Sequence, residues 1–360
     1  MVTVPVILAG GIGERFWPIS RSSSPKQLLK LISSKTMLEE TIDRVTPLCQ
    51  KDVKPLIITG TKIGGQMKKL LPKTLAYDCI AEPEGKNTAP AILLAAAWIE
   101  KKYGPAVMVI LSADHSIRPK TVFRSAVKTA VSYAVSKEAL VIFGIKPSRP
   151  ETGYGYLNIG SCVNKNKNTS IFEVKKFIEK PSAARAKSFY AKSSYLWNSG
   201  MFVWKTSVII NEFNRSLPDL YALLPELKKA RFSKKALVRY YHLSEKISID
   251  YGIMEKAKKV YAVAGTFEWD DIGSWEALPR IHKFDKNGTT AIGRNIMNFS
   301  SRNSLVFNNK DAVVATIGLD NIAVIVTDDA VLVADRSTLP DLKTYLSEIK
   351  KSKNLPDTLF

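Results

Sequence analysis

A glycine-rich turn followed by basic side chains is the segment of this chain best suited to binding a polyphosphate. Residues 8–28 read LAGGIGERFWPISRSSSPKQL. Three glycines follow an apolar stretch that ends at Leu8: Gly10, Gly11 and Gly13. Three cations come after them: Arg15, Arg21 and Lys26. Glycine tolerates positive φ and has no Cβ, so backbone N–H groups can approach phosphate oxygens closely. The segment predicts an anion site and leaves the anion open.

The spacing of these glycines disfavours two common phosphate loops. A dinucleotide fingerprint needs G-x-G-x-x-G, but Phe16 stands where the third glycine belongs. A Walker loop needs Gly-Lys followed by Ser or Thr, and that step does not occur here. An ordinary glycine turn whose cations face water is the alternative, and the downstream sequence Pro25-Lys26-Gln27 disfavours it.

Two aspartates have the chemistry of magnesium ligands. Asp114 follows the apolar run VMVIL, and Asp271 lies in EWDDIGSW after a second β-like stretch. A Mg²⁺ ion bound to substrate phosphates needs only one or two protein carboxylates. The alternative for Asp114 is a cap of the following turn or helix, and the alternative for Asp271 is a β-turn, so the residues alone leave both readings open.

Three further segments carry polar side chains that could bind a ligand or serve only the structure. EPEGKNTAP, residues 82–90, precedes a helix, where free N–H groups favour polar ligands and where capping by Asn87 or Thr88 is an equally good explanation. Glu179 and Lys180 follow an alternating pattern, and on a strand they would point to opposite faces. An exposed charge pair is the alternative for them.

The third of these segments is WNSGMF, residues 197–202, which places Asn198 and a glycine between aromatic side chains. This composition suits hydrogen bonding to a hydroxyl-rich ligand. Aromatic core packing around a tight turn is the alternative.

Composition describes an ordinary globular chain with one unusual property, its charge. The 360 residues are 45% hydrophobic and 24% charged, without an apolar run of membrane-spanning length. No secretory signal is apparent, so we expect a cytoplasmic protein without membrane partners. The three cysteines form no CxxC pair, which indicates neither a disulfide framework nor a zinc knuckle. The net charge of the chain is +20, and the excess of basic residues lies in the first 300 residues. It fits anionic substrates, nucleic acid or a solvated lysine-rich surface. No nucleic-acid motif accompanies it, so we expect no nucleic-acid partner.

Apolar strands alternate with helical patterns in the first half of the chain, which predicts βαβ units. The predicted strands are residues 2–8, 55–58, 107–111 and 140–144. The predicted helices are residues 36–45, 88–101 and 122–136. The fold class predicted is α/β, a Rossmann-like mixed, mostly parallel sheet flanked by helices. From about residue 289, short apolar runs predict a small β-rich, β-helical region and then a helix over 341–350. We expect a catalytic domain over 1–285 and a small domain over 286–360.

Eight motifs in order resemble one family, the bacterial mannose-1-phosphate guanylyltransferases, also called GDP-mannose pyrophosphorylases. Besides the opening loop, they are EPEGKNTAPA, LSADH, TGYGY, FIEKP, WNSGMFVW, SIDYGIMEKA and WDDIGSW. The resemblance implies a nucleotidyltransferase (GT-A-like) fold and transfer of GMP from GTP to mannose 1-phosphate, giving GDP-mannose for glycan or polysaccharide biosynthesis. Longer relatives append a cupin-like isomerase domain for which this chain has no room, so we expect the transferase activity alone.

The resemblance also implies roles for individual residues. Arg15 and Lys26 would act on the triphosphate, and Asp114 and Asp271 would hold Mg²⁺. The nucleotide would be bound by Leu8, Gly10, Gly11, Gly13, Glu82, Asn87 and Thr88. The sugar phosphate would be bound by Gly155, Glu179, Lys180 and Asn198. A homodimer is a further expectation from the β-rich terminal region.

Two rival functions remain open at this point. One is a nucleotidyltransferase for another sugar phosphate or base, such as a GDP-heptose or UDP-sugar enzyme. The other is a basic nucleic-acid-binding or regulatory protein that keeps the fold without the reaction.

Overall fold

The computed structural model describes residues 1–11, 13–166, 168–352 and 355–360. Its strands are β1 (Val2–Leu8), β2 (Leu56–Gly60), β3 (Asp78–Glu82), β4 (Ala106–Ser112), β5 (Ser116–Arg118), β6 (Leu140–Ile145), β7 (Tyr156–Lys165), β8 (Thr169–Ile178), β9 (Tyr195–Lys205), β10 (Val260–Gly265), β11 (Glu268–Asp270), β12 (Thr290–Gly293), β13 (Ile296–Phe299), β14 (Leu305–Asn308), β15 (Val314–Ile317), β16 (Ile322–Val326) and β17 (Val331–Asp335).

Its helices are α1 (Met37–Val45), α2 (Thr61–Leu70), α3 (Thr88–Tyr103), α4 (Lys120–Lys137), α5 (Ala183–Tyr190), α6 (Thr206–Ser216), α7 (Pro218–Tyr221), α8 (Leu224–Lys229), α9 (Lys234–Leu243), α10 (Leu278–Ile281) and α11 (Leu342–Ile349). A short π-helical segment, Asp250–Met254, precedes β10. None of the helices described is both long and apolar enough to cross a membrane.

The chain divides into two compact units. Unit 1 contains Met1–Gly10, Thr41–Ala113 and Ile117–Trp269. Unit 2 contains Gly11–Glu40, Asp114–Ser116 and Asp270–Phe360. The boundary expected at residues 285 and 286 stays a prediction.

A mixed nine-stranded sheet forms the centre of unit 1. Its order is β3-β2-β1-β4-β9-β6-β10-β8-β7. Within the stretch β3-β2-β1-β4, each strand is parallel to the strand beside it. β6 and β10 are also parallel, and β9 runs antiparallel between β4 and β6. β1 and β4 are almost entirely apolar, with Thr3 and Ser112 as their polar residues, because both faces of each strand are covered. Their register pairs Leu8 with Ser112, so their carboxyl ends lie side by side.

Helices complete the core of unit 1. The first turns of α3 are rich in Ala and Leu, and its residues from Ala89 to Ala97 are all buried. α3 packs on β1, β2 and β4 and against α6, whereas α4 packs on β6, β9 and β10. The predicted α/β class with a mixed sheet and flanking helices is therefore confirmed.

Parallel strands stack in the β-rich part of unit 2. β12, β14 and β16 form one parallel set, to which β17 adds antiparallel, and β13 pairs with β15 in a second set. Gly293 has φ +109° at a corner of this stack, where an added Cβ would lie 1.8 Å from the carbonyl oxygen of Asn308. The predicted β-rich terminal region is confirmed, and its parallel stacking is that of short β-helical coils.

Candidate functional site

The predicted site residues belong to both units. Unit 2 contains Gly11, Gly13, Arg15, Lys26, Asp114 and Asp271. Unit 1 contains Leu8, Gly10, Glu82, Asn87, Thr88, Gly155, Glu179, Lys180 and Asn198.

The ammonium group of Lys26 joins the two predicted metal ligands of unit 2. Lys26 Nζ donates to Asp114 Oδ2 at 2.7 Å and to the backbone carbonyl of Asp271 at 3.2 Å. It also lies 5.4 Å from the ring centroid of Phe16. The Lys26 side chain is only 8% exposed, so its charge is held in a fixed position. An ammonium has three donors, and these two bonds leave one N–H for an anionic ligand.

Gly13 makes room for this lysine. Its φ of +82° is left-handed, and an added Cβ would lie 2.4 Å from Lys26 Cβ. Glycine is therefore required here for backbone conformation and for space. Gly11 has φ +80°, and apart from each glycine and its chain neighbours, no described atom lies within 4 Å of the position a Cβ would take at Gly10 or Gly11. Their backbone is thus accessible, as the predicted phosphate loop requires.

The arginines of the loop differ in their surroundings. Arg15 lies in a short 3-10 helix, Glu14–Phe16, with an exposed side chain. Arg21 instead forms a two-pronged ion pair with Asp329, at 2.5 and 2.6 Å, and donates to the carbonyl of Pro18. Arg21 therefore fastens the loop to the β-rich region of unit 2, and the three cations of the sequence do not form one anion cluster.

The two aspartates of unit 2 have different local roles. Burial alone would raise the pKa of Asp114, but the charges of Lys26 and His115 lower it, so the net pKa is below its usual value. Asp271 Oδ1 accepts the N–H of Gly273 at 3.1 Å, which confirms the turn role left open by the sequence. Asp270, its neighbour, instead forms a two-pronged ion pair with Arg280.

The chemistry of this pair fits a hard divalent cation. The pKa of Asp114 is lowered, and Lys26 Nζ contacts both the Asp114 carboxylate and the backbone carbonyl of Asp271. Mg²⁺ prefers such oxygen ligands and commonly completes its shell with water and substrate phosphates. Asp114 and Asp271 are thus two oxygen-bearing residues of unit 2 that could hold such an ion.

In unit 1, the segment after β3 is fixed by hydrogen bonds at the start of α3. Asn87 is the N-cap of α3, and its side chain accepts from the N–H of Thr88 at 2.9 Å, which confirms the capping role. Thr88 Oγ1 accepts the N–H of Ile249 at 2.8 Å. Burial raises the pKa of Glu82, and the hydroxyl of Tyr241 on α9 opposes this.

Three predicted sugar-binding residues meet in unit 1. Asn198 N donates to the carbonyl of Gly155 at 2.8 Å. An added Cβ at Gly155 would lie 2.4 Å from Glu179 Oε2 and 3.3 Å from Asn198 Cβ. The carboxylate of Glu179 therefore lies over the bare backbone of Gly155, beside Asn198. Gly155 directly precedes β7, Glu179 directly follows β8 and Asn198 lies within β9, and these three strands are paired in the sheet.

One expectation for this group is wrong. β8 ends at Ile178, so Glu179 and Lys180 follow the strand and do not alternate along it. Lys180 has φ +41°, and its exposed ammonium lies 3.6 Å from the carboxylate of Glu179. The positive φ turns the chain here, which the alternating pattern upstream does not reveal.

One residue of this group was not predicted. Asp250 Oδ1 accepts from Asn198 Nδ2 at 3.0 Å. It lies in the motif SIDYGIMEKA, whose resemblance marked the family without giving a role to this carboxylate.

Comparison with known proteins agrees with this architecture. A family model described as nucleotidyl transferase matches residues 4–288. The chain belongs to the nucleotidyl transferase family. It is therefore an enzyme of the nucleotidyltransferase class, whose members generally use a divalent metal ion.

Two similar proteins belong to one branch of this family, the mannose-1-phosphate guanylyltransferases. A mannose-1-phosphate guanylyltransferase of Escherichia coli is 35% identical over 97% of this chain and 76% of its own length. ManC of Salmonella typhimurium, a protein of the same name, is 36% identical over 96% of this chain and 73% of its own length. A crystal structure from Thermus thermophilus, described as a mannose-1-phosphate geranyltransferase, has a TM-score of 0.87 and 32% identity, covering 97% of this chain and 100% of its own. The predicted family is thereby confirmed.

Proposed function

We propose that this protein transfers GMP from GTP to α-D-mannose 1-phosphate, giving GDP-mannose and pyrophosphate for glycan or polysaccharide biosynthesis. The names of the relatives, which match nearly the whole chain, support these substrates. The geometric observation that carries the proposal is the contact of Lys26 with Asp114 and Asp271. Both substrates are anionic. GTP is a cytoplasmic nucleotide, and we propose that the protein acts in the cytoplasm. A homodimer remains a prediction.

The reaction makes and breaks one bond at the α-phosphorus of GTP. A phosphate oxygen of mannose 1-phosphate attacks in line, the bond to the oxygen that bridges the α- and β-phosphorus breaks, and pyrophosphate leaves with that electron pair. Positioning and charge stabilisation supply most of the catalysis in such transfers. Lys26 and Arg15 would offset the charge on the triphosphate and the leaving pyrophosphate. Gly10, Gly11 and Gly13 would present backbone donors to the nucleotide, which Leu8, Glu82, Asn87 and Thr88 would also bind.

Asp114 and Asp271 would hold Mg²⁺, which when bound neutralises charge on the phosphates. In unit 1, Gly155, Glu179 and Asn198 would bind the sugar hydroxyls. The exposed ammonium of Lys180 would pair with the sugar phosphate.

The decisive experiment measures pyrophosphate release across pairs of nucleotides and sugar phosphates. GTP with mannose 1-phosphate should give the highest kcat/KM in a panel that includes UTP, ATP, glucose 1-phosphate and a heptose 1-phosphate. A higher value for another pair would assign the enzyme to that substrate. No release with any pair, together with steeply salt-dependent binding of heterologous DNA, would favour the nucleic-acid-binding alternative.

Replacing either proposed metal ligand tests the role of the carboxylates. Asp114→Asn and Asp271→Asn should each lower Mg²⁺-dependent kcat by about a hundredfold or more, because a neutral amide is a poor ligand for a hard cation. Asp285→Asn, an exposed aspartate of unit 2, is the matched control and should keep its turnover. Near-normal turnover in either ligand variant, measured as a function of Mg²⁺ concentration, would contradict the assignment.

A further inference from the structure

Asp250 makes a directed contact with the predicted sugar subsite of unit 1, defined by Gly155, Glu179 and Asn198. The amide of Asn198 is fixed at both ends, since its Oδ1 accepts the N–H of Gly200 at 2.8 Å and its Nδ2 donates to Asp250 Oδ1 at 3.0 Å. These two bonds determine which end of the amide is oxygen and which is nitrogen. An amide nitrogen carries two N–H groups, so the bond to Asp250 leaves the second for a ligand.

Glu179 is the other polar side chain of this subsite, and its Oε2 atom accepts no hydrogen bond from the described residues. Glu179 Oε2 is buried, and within the described part of the chain no group donates a hydrogen bond to it. The side chain as a whole is 12% exposed. A buried carboxylate oxygen without a donor is costly, and a ligand hydroxyl that reaches it would relieve that cost.

We propose that Asp250 is a positioning residue for the sugar phosphate, which orients the amide of Asn198 toward a sugar oxygen and acts through its charge on Glu179. The inference rests on the proposed function, because it takes the ligand of this subsite to be a sugar phosphate. It adds to that function a residue to which neither the comparisons nor the resemblance gives a role.

The charges around Glu179 support the second part of this proposal. Burial and then the negative charge of Asp250 raise the pKa of Glu179 to about 7, with a smaller contribution from Glu255, while Lys180 opposes them. Burial also raises the pKa of Asp250, and its bond with Asn198 and the charge of Lys180 oppose this. Glu179 therefore changes its protonation near neutral pH, and the charge of Asp250 helps to set where that change falls.

Two substitutions separate orientation from charge. Asp250→Asn keeps an acceptor for Asn198 and loses the charge, whereas Asp250→Ala loses both. We expect Asp250→Ala to raise KM for mannose 1-phosphate by about tenfold or more, with KM for GTP and kcat changed by less than about threefold. Asp219→Asn, an exposed aspartate of the same unit, is the matched control and should change none of these values.

The pH profile gives a readout that a merely structural role would not change. KM for mannose 1-phosphate should vary with pH around 7 in the wild type and in Asp219→Asn, and this variation should move to lower pH in Asp250→Asn. The ionisation of the sugar phosphate itself is common to all three proteins and cancels in the comparison. A ¹³C NMR titration of the Glu179 carboxyl, identified by the signal lost in Glu179→Gln, should show the same downward shift without any substrate.

Each outcome decides a different statement. Wild-type turnover with unchanged KM and unchanged titration in the Asp250 variants would overturn the role of Asp250 and leave the proposed function intact. No turnover of mannose 1-phosphate by the wild type would overturn the proposed function and the sugar role together. Thermal unfolding of each variant identifies a misfolded protein, and if Asp250→Ala fails to fold, the profile of Asp250→Asn decides.

Discussion

Lys26 shows how one side chain can organise a site through groups that are distant in sequence. Its contacts reach Asp114, 88 residues later, and the carbonyl of Asp271, 245 residues later. Gly13 allows this placement, because any larger residue there would collide with the lysine. The buried position of the Lys26 charge therefore depends on a glycine at position 13.

Removing the charge of Lys26 tests this arrangement. Lys26→Met keeps the apolar length of the side chain, and we expect kcat/KM to fall by about a hundredfold or more because the developing charge on pyrophosphate loses a fixed cation. Lys30→Met, an exposed lysine four residues later, is the control and should behave as the wild type. An unchanged kcat/KM for Lys26→Met would remove Lys26 from the mechanism.

The grouping of residues was predictable from the sequence to the extent that it depends on short motifs, while their roles stay predictions. The contact of Gly155, Glu179 and Asn198 agrees with the group implied by the resemblance, although β7, β8 and β9 bring these residues together from separate positions. Asp250 was missed because its bond to Asn198 joins a π-helical segment to a strand, and no spacing rule relates the two. The ion pair between Arg21 and Asp329 was likewise not predictable from the sequence, because it depends on how the β-rich strands fold.

At the scale of elements, the start of α3 depends on the segment that leads into the π-helical turn. The N–H of Ala89 donates to the carbonyl of Ile247 at 3.1 Å, and the hydroxyl of Tyr240 on α9 donates to the carbonyl of Pro90 at 2.8 Å. With the bond between Thr88 and Ile249, these contacts determine where the predicted nucleotide segment lies within unit 1.

A pair of substitutions at Thr88 measures the strength of this attachment. Thr88→Val keeps the shape but leaves the N–H of Ile249 without its acceptor, which should lower the free energy of unfolding by about 1–3 kcal/mol. Thr88→Ser keeps the hydroxyl and should lose less than half of that. Urea unfolding of the three proteins gives the comparison, and equal losses in both variants would show that the hydroxyl is not what holds the segment.

Elements were predictable where burial leaves a plain pattern. β1, β4 and β6 were predicted to within two residues because a strand covered on both faces is almost entirely apolar. α2 was not predicted, since its sequence TKIGGQMKKL contains two glycines that weaken any helical pattern. Gly64 of this helix is buried, with Thr59 Cγ2 at 3.6 Å from its Cβ position, so packing offsets the poor propensity.

At the scale of the whole molecule, the net charge is divided unequally between the two units. Unit 1 contains 37 Lys and Arg against 17 Asp and Glu, whereas unit 2 contains 16 of each. The whole excess of +20 therefore belongs to unit 1. Both proposed substrates are anions, and a field of this sign increases the rate at which anions arrive.

Salt and charge reversal test whether this field contributes to turnover. We expect kcat/KM to fall by about tenfold between low and high ionic strength, because salt screens charges over a Debye length. Reversing the exposed pair, Lys258→Glu with Lys259→Glu, should flatten this dependence, while Lys258→Arg with Lys259→Arg should keep it. Identical salt profiles in the three proteins would mean that the lysines serve solvation alone.

The fastening of the glycine loop within unit 2 has a consequence for synthesis of the chain. The indole N–H of Trp17 donates to the carbonyl of Leu359 at 2.8 Å, and Glu14 forms ion pairs with Lys343 and Lys350. A ribosome delivers these partners more than three hundred residues after the loop itself. The nascent loop therefore lacks these partners until the last residues are made, and the apolar side chains of Phe16 and Trp17, buried in the folded unit, stay exposed during that time.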